Sequence, residues 1–297
     1  MLIINLIGGL GNQMFQYAFG KGLSMQRHIE VKFSTEELLD CTPKENFTYR
    51  DYELGNFRTN VVLASTEEMR LFKYQPANLS ERIFYKLKRH IMKPKVFNET
   101  ANFRYDAGVY QTAANMYYDG YWQNEKYFSR FESKIRHDFT FQHAPTGLNA
   151  ELVRHIQASR AVAIHVRRGD YVTNSQTNQI HGTCSPDYYR EAVSLLAQRI
   201  PNPTLFVFSD EPEWVKQHLS FGSFPTVYIS HNKGSDSYQD LRLMSLCQHN
   251  IIANSSFSWW GAWLNANPDK LVVAPRQWYQ GVILGPNELL PASWLRL

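Results

Sequence analysis

The chain has 297 residues, 43% of them hydrophobic and 20% charged, which is typical of a globular protein with room for two domains. Its net charge of +4 is too small to indicate a nucleic-acid-binding protein, and no apolar run reaches the roughly 18–20 residues of a membrane-spanning helix. The three cysteines (Cys41, Cys184 and Cys247) are too widely spaced for a disulfide framework or a zinc motif, so a reducing cytosol fits the chain.

The chain opens with the pattern of a strand, a glycine turn and a helix. Residues 2–7 form an apolar run rather than a signal peptide, and Gly8-Gly9-Leu10-Gly11 precedes apolar residues at helical spacing. The G-x-G-x-x-G dinucleotide template fails because Met14 takes the third glycine's place. Two interpretations stay open: the turn lets a ligand approach the backbone, or it is a tight turn with Asn12 as helix cap.

The remainder of the first half is less regular. A second strand is predicted at 29–33, and residues 40–110 show no clear period. A basic run in this region is expected to be a solvated helix face, with weak contact to anionic lipid or substrate as the alternative; it comprises Lys86, Lys88, Arg89, Lys93 and Lys95. Helices are predicted at 128–139 and 149–159. The Pro/Gly loop between them gives an N-terminal domain of residues 1–147 and a C-terminal domain of residues 148–297.

Strands alternate with helices throughout the second half, which predicts an α/β fold with a parallel, doubly wound sheet. The predicted strands are 161–166, 205–208, 226–229, 250–253 and 271–274. The predicted helices are 187–199, 213–219, 237–247 and 258–265.

Charged side chains follow the strand 161–166. His165 and Arg167 face the same side of the extended chain, and Arg168 and Asp170 come next. Two adjacent guanidinium groups suit a diphosphate, because each offers a planar fork of donors that cannot lose its charge. The alternative interpretation is a structural Arg–Asp pair that joins sheet to loop.

Polar residues also follow two other predicted strands, as Ser209-Asp210-Glu211 and as the segment 254–258. In the second case they precede an apolar helix, where backbone N–H groups bind phosphates, although a simple helix cap is the alternative. Trp259 and Trp260 are expected in the core. No D-x-D occurs and no histidine pair has ligand spacing, so no metal site is predicted.

Five segments together resemble the bacterial α-1,2-fucosyltransferases of glycosyltransferase family eleven. They are GGLGNQMFQYAFG (8–20), GYWQNEKYF (120–128), HVRRGDY (165–171), FSDE (208–211) and NSSFSWWGAWL (254–264). The resemblance covers nearly the whole chain. It implies a GT-B fold of two Rossmann-like domains, with the donor site mainly in the C-terminal one. It also implies an inverting, α-1,2 transfer of L-fucose from GDP-β-L-fucose to the 2-hydroxyl of a terminal β-galactoside, with no metal or other cofactor.

The resemblance also implies residue roles. The HxRRxD segment is similar to that of α-1,6- and protein O-fucosyltransferases, so His165 would face the guanine while Arg167 and Arg168 grip the diphosphate, supported by Asp170. Asn12 is expected near the reacting centre. The remaining donor-binding residues implied are Gly9, Gly11, Gln13, Asp210, Asp240, Ser255, Ser256 and Phe257, with Asp210 as the floor of the site.

The group that takes the acceptor proton stays open, because residues 172–185 contain no carboxylate. His181, Asp170 or the departing phosphate could accept it. The acceptor is expected to be an oligosaccharide or a lipid-linked glycan, contacted by Tyr121 and Trp122. The expected location is the cytoplasm, with membrane contact limited to a peripheral one. The rival functions are a sugar-nucleotide or glycan binding module without transfer, and a regulatory nucleotide-binding protein.

Overall fold

A computed structural model describes residues 1–43, 48–73, 78–100, 103–283, 285 and 288–297, apart from the side chains of Asp170, Thr173, 175–177 and Ile283. The chain forms two compact units. The first comprises Met1–Pro43 and Tyr49–Thr140, and Phe141–Leu297 make up the bulk of the second. Both units are α/β, as predicted. The sequence had placed the boundary between 147 and 148.

The first unit contains a four-stranded parallel sheet in the order β2-β1-β4-β3. Its strands are β1 Leu2–Asn5, β2 Val31–Ser34, β3 Lys95–Asn98 and β4 Met116–Asp119. Its helices are α1 Leu10–Arg27, α2 Thr66–Met69, α3 Leu79–Met92 and α4 Glu132–Asp138. The sequence analysis missed α3, β3 and β4. The charges interleaved along α3 hide its period, and β3 leaves most of its side chains outside the core.

The second unit contains a six-stranded sheet in the order β12-β9-β8-β5-β6-β7, with every pairing parallel. Its strands are β5 Ala161–Val166, β6 Thr204–Ser209, β7 Thr226–Ile229, β8 His249–Ile251, β9 Val272–Ala274 and β12 Leu295–Arg296, and an antiparallel hairpin joins β10 Gln277–Tyr279 to β11 Val282–Ile283. Its helices are α5 Gly147–Gln157, α6 Gly169–Thr173, α7 Ser175–His181, α8 Pro186–Ala197, α9 Pro212–His218, α10 Tyr238–Leu246 and α11 Ser256–Leu264.

Two parallel sheets, one in each unit, confirm the predicted GT-B class of two Rossmann-like domains. The five strands and four helices predicted for the alternating part of the second half all occur, whereas α6, α7, β10, β11 and β12 were not predicted. Within the described residues, no helix combines the length and apolar character needed to cross a bilayer.

The strand β5 is central to the second sheet and buried along its whole length. Its alternate residues Val162, Ile164 and Val166 belong to a core cluster with α8. Because every strand of this sheet runs in the same direction, the loops after β5, β6, β7 and β8 all leave at the carboxyl edge, where open α/β sheets bind ligands.

Candidate functional site

The loops after β5 and β6 meet because the two strands pair in register up to Val166 and Ser209. On the other side of β5, Ile164 pairs with Ile251 of β8. The charged residues after β5 therefore lie between the polar ends of β6 and β8. The sequence predicted this grouping, which depends only on parallel pairing.

Arg167 is fixed by an acid from the neighbouring strand. Its Nη1 lies 2.8 Å from Oδ2 of Asp210, and both side chains are about one quarter exposed. The other carboxylate oxygen of Asp210 accepts from the backbone N–H of Arg168 at 3.0 Å. The guanidinium of Arg167 also lies 5.6 Å from the ring centre of Tyr171.

Arg168 is held from two sides. Its Nε donates to Glu211 at 3.0 Å, and its guanidinium carbon lies 3.6 Å from the ring centre of Trp214 in α9. Stacking on an aromatic face and pairing with a carboxylate both restrict the rotamer of a long side chain. The two arginines therefore form a positive pair of fixed geometry.

Gly169 leaves room for the carboxylate of Asp210 beside the backbone. A Cβ built on Gly169 would lie 2.5 Å from Oδ2 of Asp210, which is the oxygen that binds Arg167. The side chain of Asp170, predicted to support the arginines, lies outside the described residues, so its role stays a prediction. Arg167 pairs with Asp210 and Arg168 with Glu211, and both acids lie some forty residues further along the chain. Asp210 was predicted as a floor of the site.

His165 is buried at the end of β5, with 6% of its surface exposed. Within the described part of the chain, its Nδ1 has no hydrogen-bond partner. Burial, followed by the charge of Arg167, lowers the pKa of His165 to about 3, so the imidazole is neutral. A buried polar atom without a partner costs about 1–3 kcal/mol. This feature favours a ligand-binding histidine over a purely structural one.

The segment after β8 ends at the amino terminus of α11. The backbone of Ser255 takes the cap position, but its side chain makes no capping hydrogen bond. Ser255 is therefore the N-cap residue by position, without the side-chain hydrogen bond of a simple serine cap. Phe257 lies near His165, with 5.8 Å between the ring centres. Trp259 and Trp260 have 0% exposure, as expected for core residues.

Asp240 lies in the first turn of α10, which follows β7 and so begins at the same edge of the sheet. Asn232 donates a hydrogen bond of 2.7 Å to its Oδ1. Burial raises the pKa of Asp240 to about 7, although the hydrogen bond from Asn232 acts in the opposite direction. The helix α10 packs against α11, where Cβ of Met244 would be 3.0 Å from a Cβ on Gly261.

His181 ends α7 and lies between two aromatic rings. Its ring stacks on Tyr171 with 4.8 Å between centres, and Tyr279 lies 5.1 Å away. The side chain of Asn254 binds the backbone oxygen of His181 at 2.9 Å, and the hydroxyl of Tyr171 binds the backbone oxygen of Asn254 at 3.2 Å. These contacts connect His181 to the loops after β5 and β8.

The predicted residues of the first unit are distributed around the turn after β1. The helix α1 begins at Leu10 with Gly9 as its cap residue, so Asn12 lies in the first turn and the prediction that Asn12 caps the helix is wrong. Oδ1 of Asn12 accepts from Gln123 at 2.9 Å. Gly9 is partly exposed, whereas Gly11 is buried inside the helix.

Gln13 has a supporting position rather than an exposed one. It is 0% exposed, donates to the backbone oxygens of Gly8 and Asp51 at 2.9 and 2.8 Å, and accepts from the N–H of Glu53 at 3.0 Å. Its amide is used within the chain. The prediction that Gln13 contacts the donor is therefore corrected. The buried amide of Gln13 instead binds the backbone of the glycine turn and of residues 51 and 53.

The loop after β4 was predicted to contact the acceptor. Trp122 is 0% exposed and stacks on Phe19 at 4.2 Å, so it belongs to the core and cannot serve as a contact residue. The backbone N–H groups of Tyr121 and Trp122 both donate to Glu99, at 2.7 and 3.1 Å. Burial raises the pKa of Glu99 to about 7. Tyr121 remains partly exposed.

No group of three or more His, Cys, Asp or Glu side chains able to hold a metal occurs among the described residues. The expectation of a metal-independent reaction stays a prediction. Sequence reasoning missed Trp214, Tyr171 and Asn232 as parts of the site. No local pattern marks them, because each acts on a partner that the fold brings close.

Comparison with known proteins shows that residues 1–288 match the model of glycosyl transferase family 11. An alpha-1,2-colitosyltransferase of Escherichia coli is 33% identical over 306 residues, which cover 100% of this chain and 99% of that protein. The O-antigen biosynthesis glycosyltransferase WbnK of Escherichia coli is 30% identical and covers 98% and 99%. The crystal structure of the Bradyrhizobium fucosyltransferase NodZ has a TM-score of 0.47 at 12% identity, covering 88% of this chain and 91% of that one.

Proposed function

Because the chain belongs to glycosyltransferase family 11, we propose that it transfers L-fucose from GDP-β-L-fucose to the 2-hydroxyl of a terminal β-galactoside, forming an α-1,2 linkage with inversion. The observation that carries the proposal is the pair of fixed guanidinium groups at the end of β5. Arg167 and Arg168 lie beside a buried, neutral histidine whose Nδ1 has no partner in the described chain. A diphosphate and a base attached to it would satisfy both features.

The arginines are proposed to stabilise the leaving group. As the bond between fucose and phosphate breaks, negative charge develops on the β-phosphate and positive character on the sugar ring. Donors that are already oriented lower the barrier most, since they need no reorganisation at the moment of reaction. Arg167 carries this role, Arg168 assists, and Asp210 and Glu211 keep both in position.

The neighbouring polar groups are proposed to bind the nucleoside and the phosphates. His165 and Asp240 bind the guanine, and Ser255, Ser256 and Phe257 line the phosphates and the nucleoside. The backbone at the start of α11 is suited to anionic oxygens. Asn12 and the partly exposed Gly9 are proposed to act from the first unit, with Asn12 near the reacting centre. No metal is needed if the guanidinium groups neutralise the diphosphate.

The acceptor proton gives a specific prediction for His181. We expect His181→Asn to lower kcat by about 10²–10⁴-fold, since a general base typically contributes that much. The measurement is kcat at saturating donor and acceptor. Saturation is needed because the variant also loses the contacts of the His181 ring with Tyr171 and Tyr279, which would alter substrate binding. His90→Asn, at an exposed helix position, is the matched control.

A loss of only a few-fold in His181→Asn would remove this histidine from proton transfer. Asp170 or the departing phosphate would then accept the proton. Asp170→Asn distinguishes these two. It lowers kcat if Asp170 is the base, and it leaves proton transfer unchanged if the departing phosphate accepts the proton.

Turnover tests the proposed function directly. Purified protein with GDP-fucose and a β-galactoside should release GDP and form an α-1,2-linked product. Excess chelator should leave the rate unchanged. Binding of GDP without turnover on an array of galactosides would support the binding module instead. Strong inhibition by chelator would restore a metal mechanism.

A second donor sugar is favoured by the 33% identity to an alpha-1,2-colitosyltransferase over the full chain. Colitose differs from fucose by the absence of the 3-hydroxyl, so the two GDP-sugars present the same diphosphate and base. The ratio of kcat/KM for GDP-fucose and GDP-colitose decides which of the two is the preferred donor. GDP release alone does not, because both donors yield GDP.

The acceptor and the location complete the proposal. The similarity to an O-antigen biosynthesis glycosyltransferase supports an oligosaccharide or lipid-linked glycan as the acceptor. The location proposed is the cytoplasm, with peripheral contact to the inner membrane. All three cysteines are free thiols, which agrees with a reducing compartment.

A further inference from the structure

The helix α3 carries large apolar side chains on its outer surface. Five of them are 56–71% exposed, and we call these residues the apolar stripe: Leu79, Ile83, Phe84, Leu87 and Ile91. Four are spaced by four residues and so lie on one face of the helix, extending over about 18 Å. The inner face is anchored by Tyr85, which packs with Met69 and Phe72 in a core cluster. The outward position of the stripe is therefore fixed by the fold.

Basic residues flank the stripe along one side. At 3.6 residues per turn, Arg82, Lys86 and Arg89 fall on the same edge of α3, and Lys93 follows as the C-cap residue of the helix. We call these four residues the basic row. Arg82, Lys86 and Lys93 are exposed, and Arg89 is partly buried. On the inner side of the helix, Lys88 pairs with Glu67 at 2.8 Å and Glu81 lies 3.5 Å from Arg70. No acid stands within the basic row.

We propose that α3 is a membrane-docking helix, which lays the apolar stripe into the interface of a bilayer rich in anionic phospholipid while the basic row contacts the head groups. An apolar patch of this extent beside positive charge is typical of helices that lie in the plane of a membrane. An anionic surface complements the positive charge of α3. A second copy of the chain would instead place one basic row against another, and the like charges would repel. This surface is independent of the donor chemistry.

Sedimentation with vesicles tests the proposal. The full chain should bind vesicles of phosphatidylcholine with phosphatidylglycerol at least about tenfold more tightly than phosphatidylcholine alone, and salt should weaken binding. Ile83→Glu with Leu87→Glu should reduce binding to the anionic vesicles at least about tenfold. Lys86→Glu with Arg89→Glu should do the same without changing the stripe. Leu148→Glu, at an exposed position of α5, is the matched control and should bind as the unmodified protein does.

Three results would overturn the proposal. The first is an absence of binding of the unmodified chain to anionic vesicles at low salt. The second is unchanged binding in both double variants. The third is a dimer that Ile83→Glu with Leu87→Glu converts to a monomer while vesicle binding persists, which would make the stripe a self-association surface. Thermal unfolding of every variant checks that it folds. Because the two double variants change different side chains, the proposal can still be tested if one of them does not fold.

Discussion

Arg167→Lys is expected to lower kcat for fucosyl transfer by about 10²–10³-fold, the loss usually seen when one preorganised donor to a developing anion is removed. Lysine keeps the positive charge that pairs with Asp210, so the carboxylate of Asp210 keeps a cationic partner. It replaces a planar fork with a single ammonium, however, and cannot hold two phosphate oxygens at once. The readout is kcat with saturating donor, together with GDP affinity measured by calorimetry.

Two further variants make the result specific. Arg199→Lys, at an exposed position beyond α8, should leave turnover unchanged. Arg168→Lys should reduce activity less than Arg167→Lys, because Arg168 is assigned an assisting role. Full activity in Arg167→Lys would contradict the assignment of the leaving-group contact to this residue.

Asp240→Asn is expected to weaken GDP binding by about 10²-fold. Guanine offers two donors, N1–H and the 2-amino group, and an ionised carboxylate can accept both through charge-assisted hydrogen bonds. Inosine diphosphate lacks the amino group, so the unmodified protein should prefer GDP over it by about tenfold or more. In Asp240→Asn that preference should disappear. Asp236→Asn, an exposed acid four residues earlier, is the matched control.

The same residue predicts a pH dependence. Burial raises the pKa of Asp240 from 3.8 to about 7, so the free protein holds this carboxyl protonated below neutrality. Guanine needs the ionised form. The ratio of GDP affinities between the unmodified protein and Asp240→Asn should therefore fall as pH drops from 8 to 6, approaching tenfold per unit below the pKa. A ratio that does not change with pH would place the guanine elsewhere.

Stability should change with pH in the opposite sense. Because the pKa of Asp240 is raised on folding, its neutral form favours the folded state below about pH 4, and this contribution is lost as pH rises through about 7. Glu99 acts in the same direction, since its pKa rises from 4.5 to about 7.

The second unit was largely predictable, because its strands are short apolar runs and the helices between them repeat in order. The charged end of β5 could be located from residues 161–170 alone. The support predicted from Asp170 stays a prediction. The ion pairs with Asp210 and Glu211 could not be located from residues 161–170, because the register of β5 on β6 brings these acids to the arginines. Pairing across strands depends on register, which a single sequence encodes weakly.

The first unit was harder to predict for a different reason. The helix α3 keeps a single residue, Tyr85, fully buried, so its apolar residues do not mark an inward face. Gln13 illustrates a second difficulty. A polar residue in a glycine turn suggests ligand contact, and only the fold reveals that Gly8, Asp51 and Glu53 already use its amide.

The close approach of Asp210 to the backbone at position 169 limits how this enzyme can be engineered. A methyl group there would force the carboxylate of Asp210 away from Arg167, so we expect libraries aimed at new donor sugars to lose activity when they vary this position.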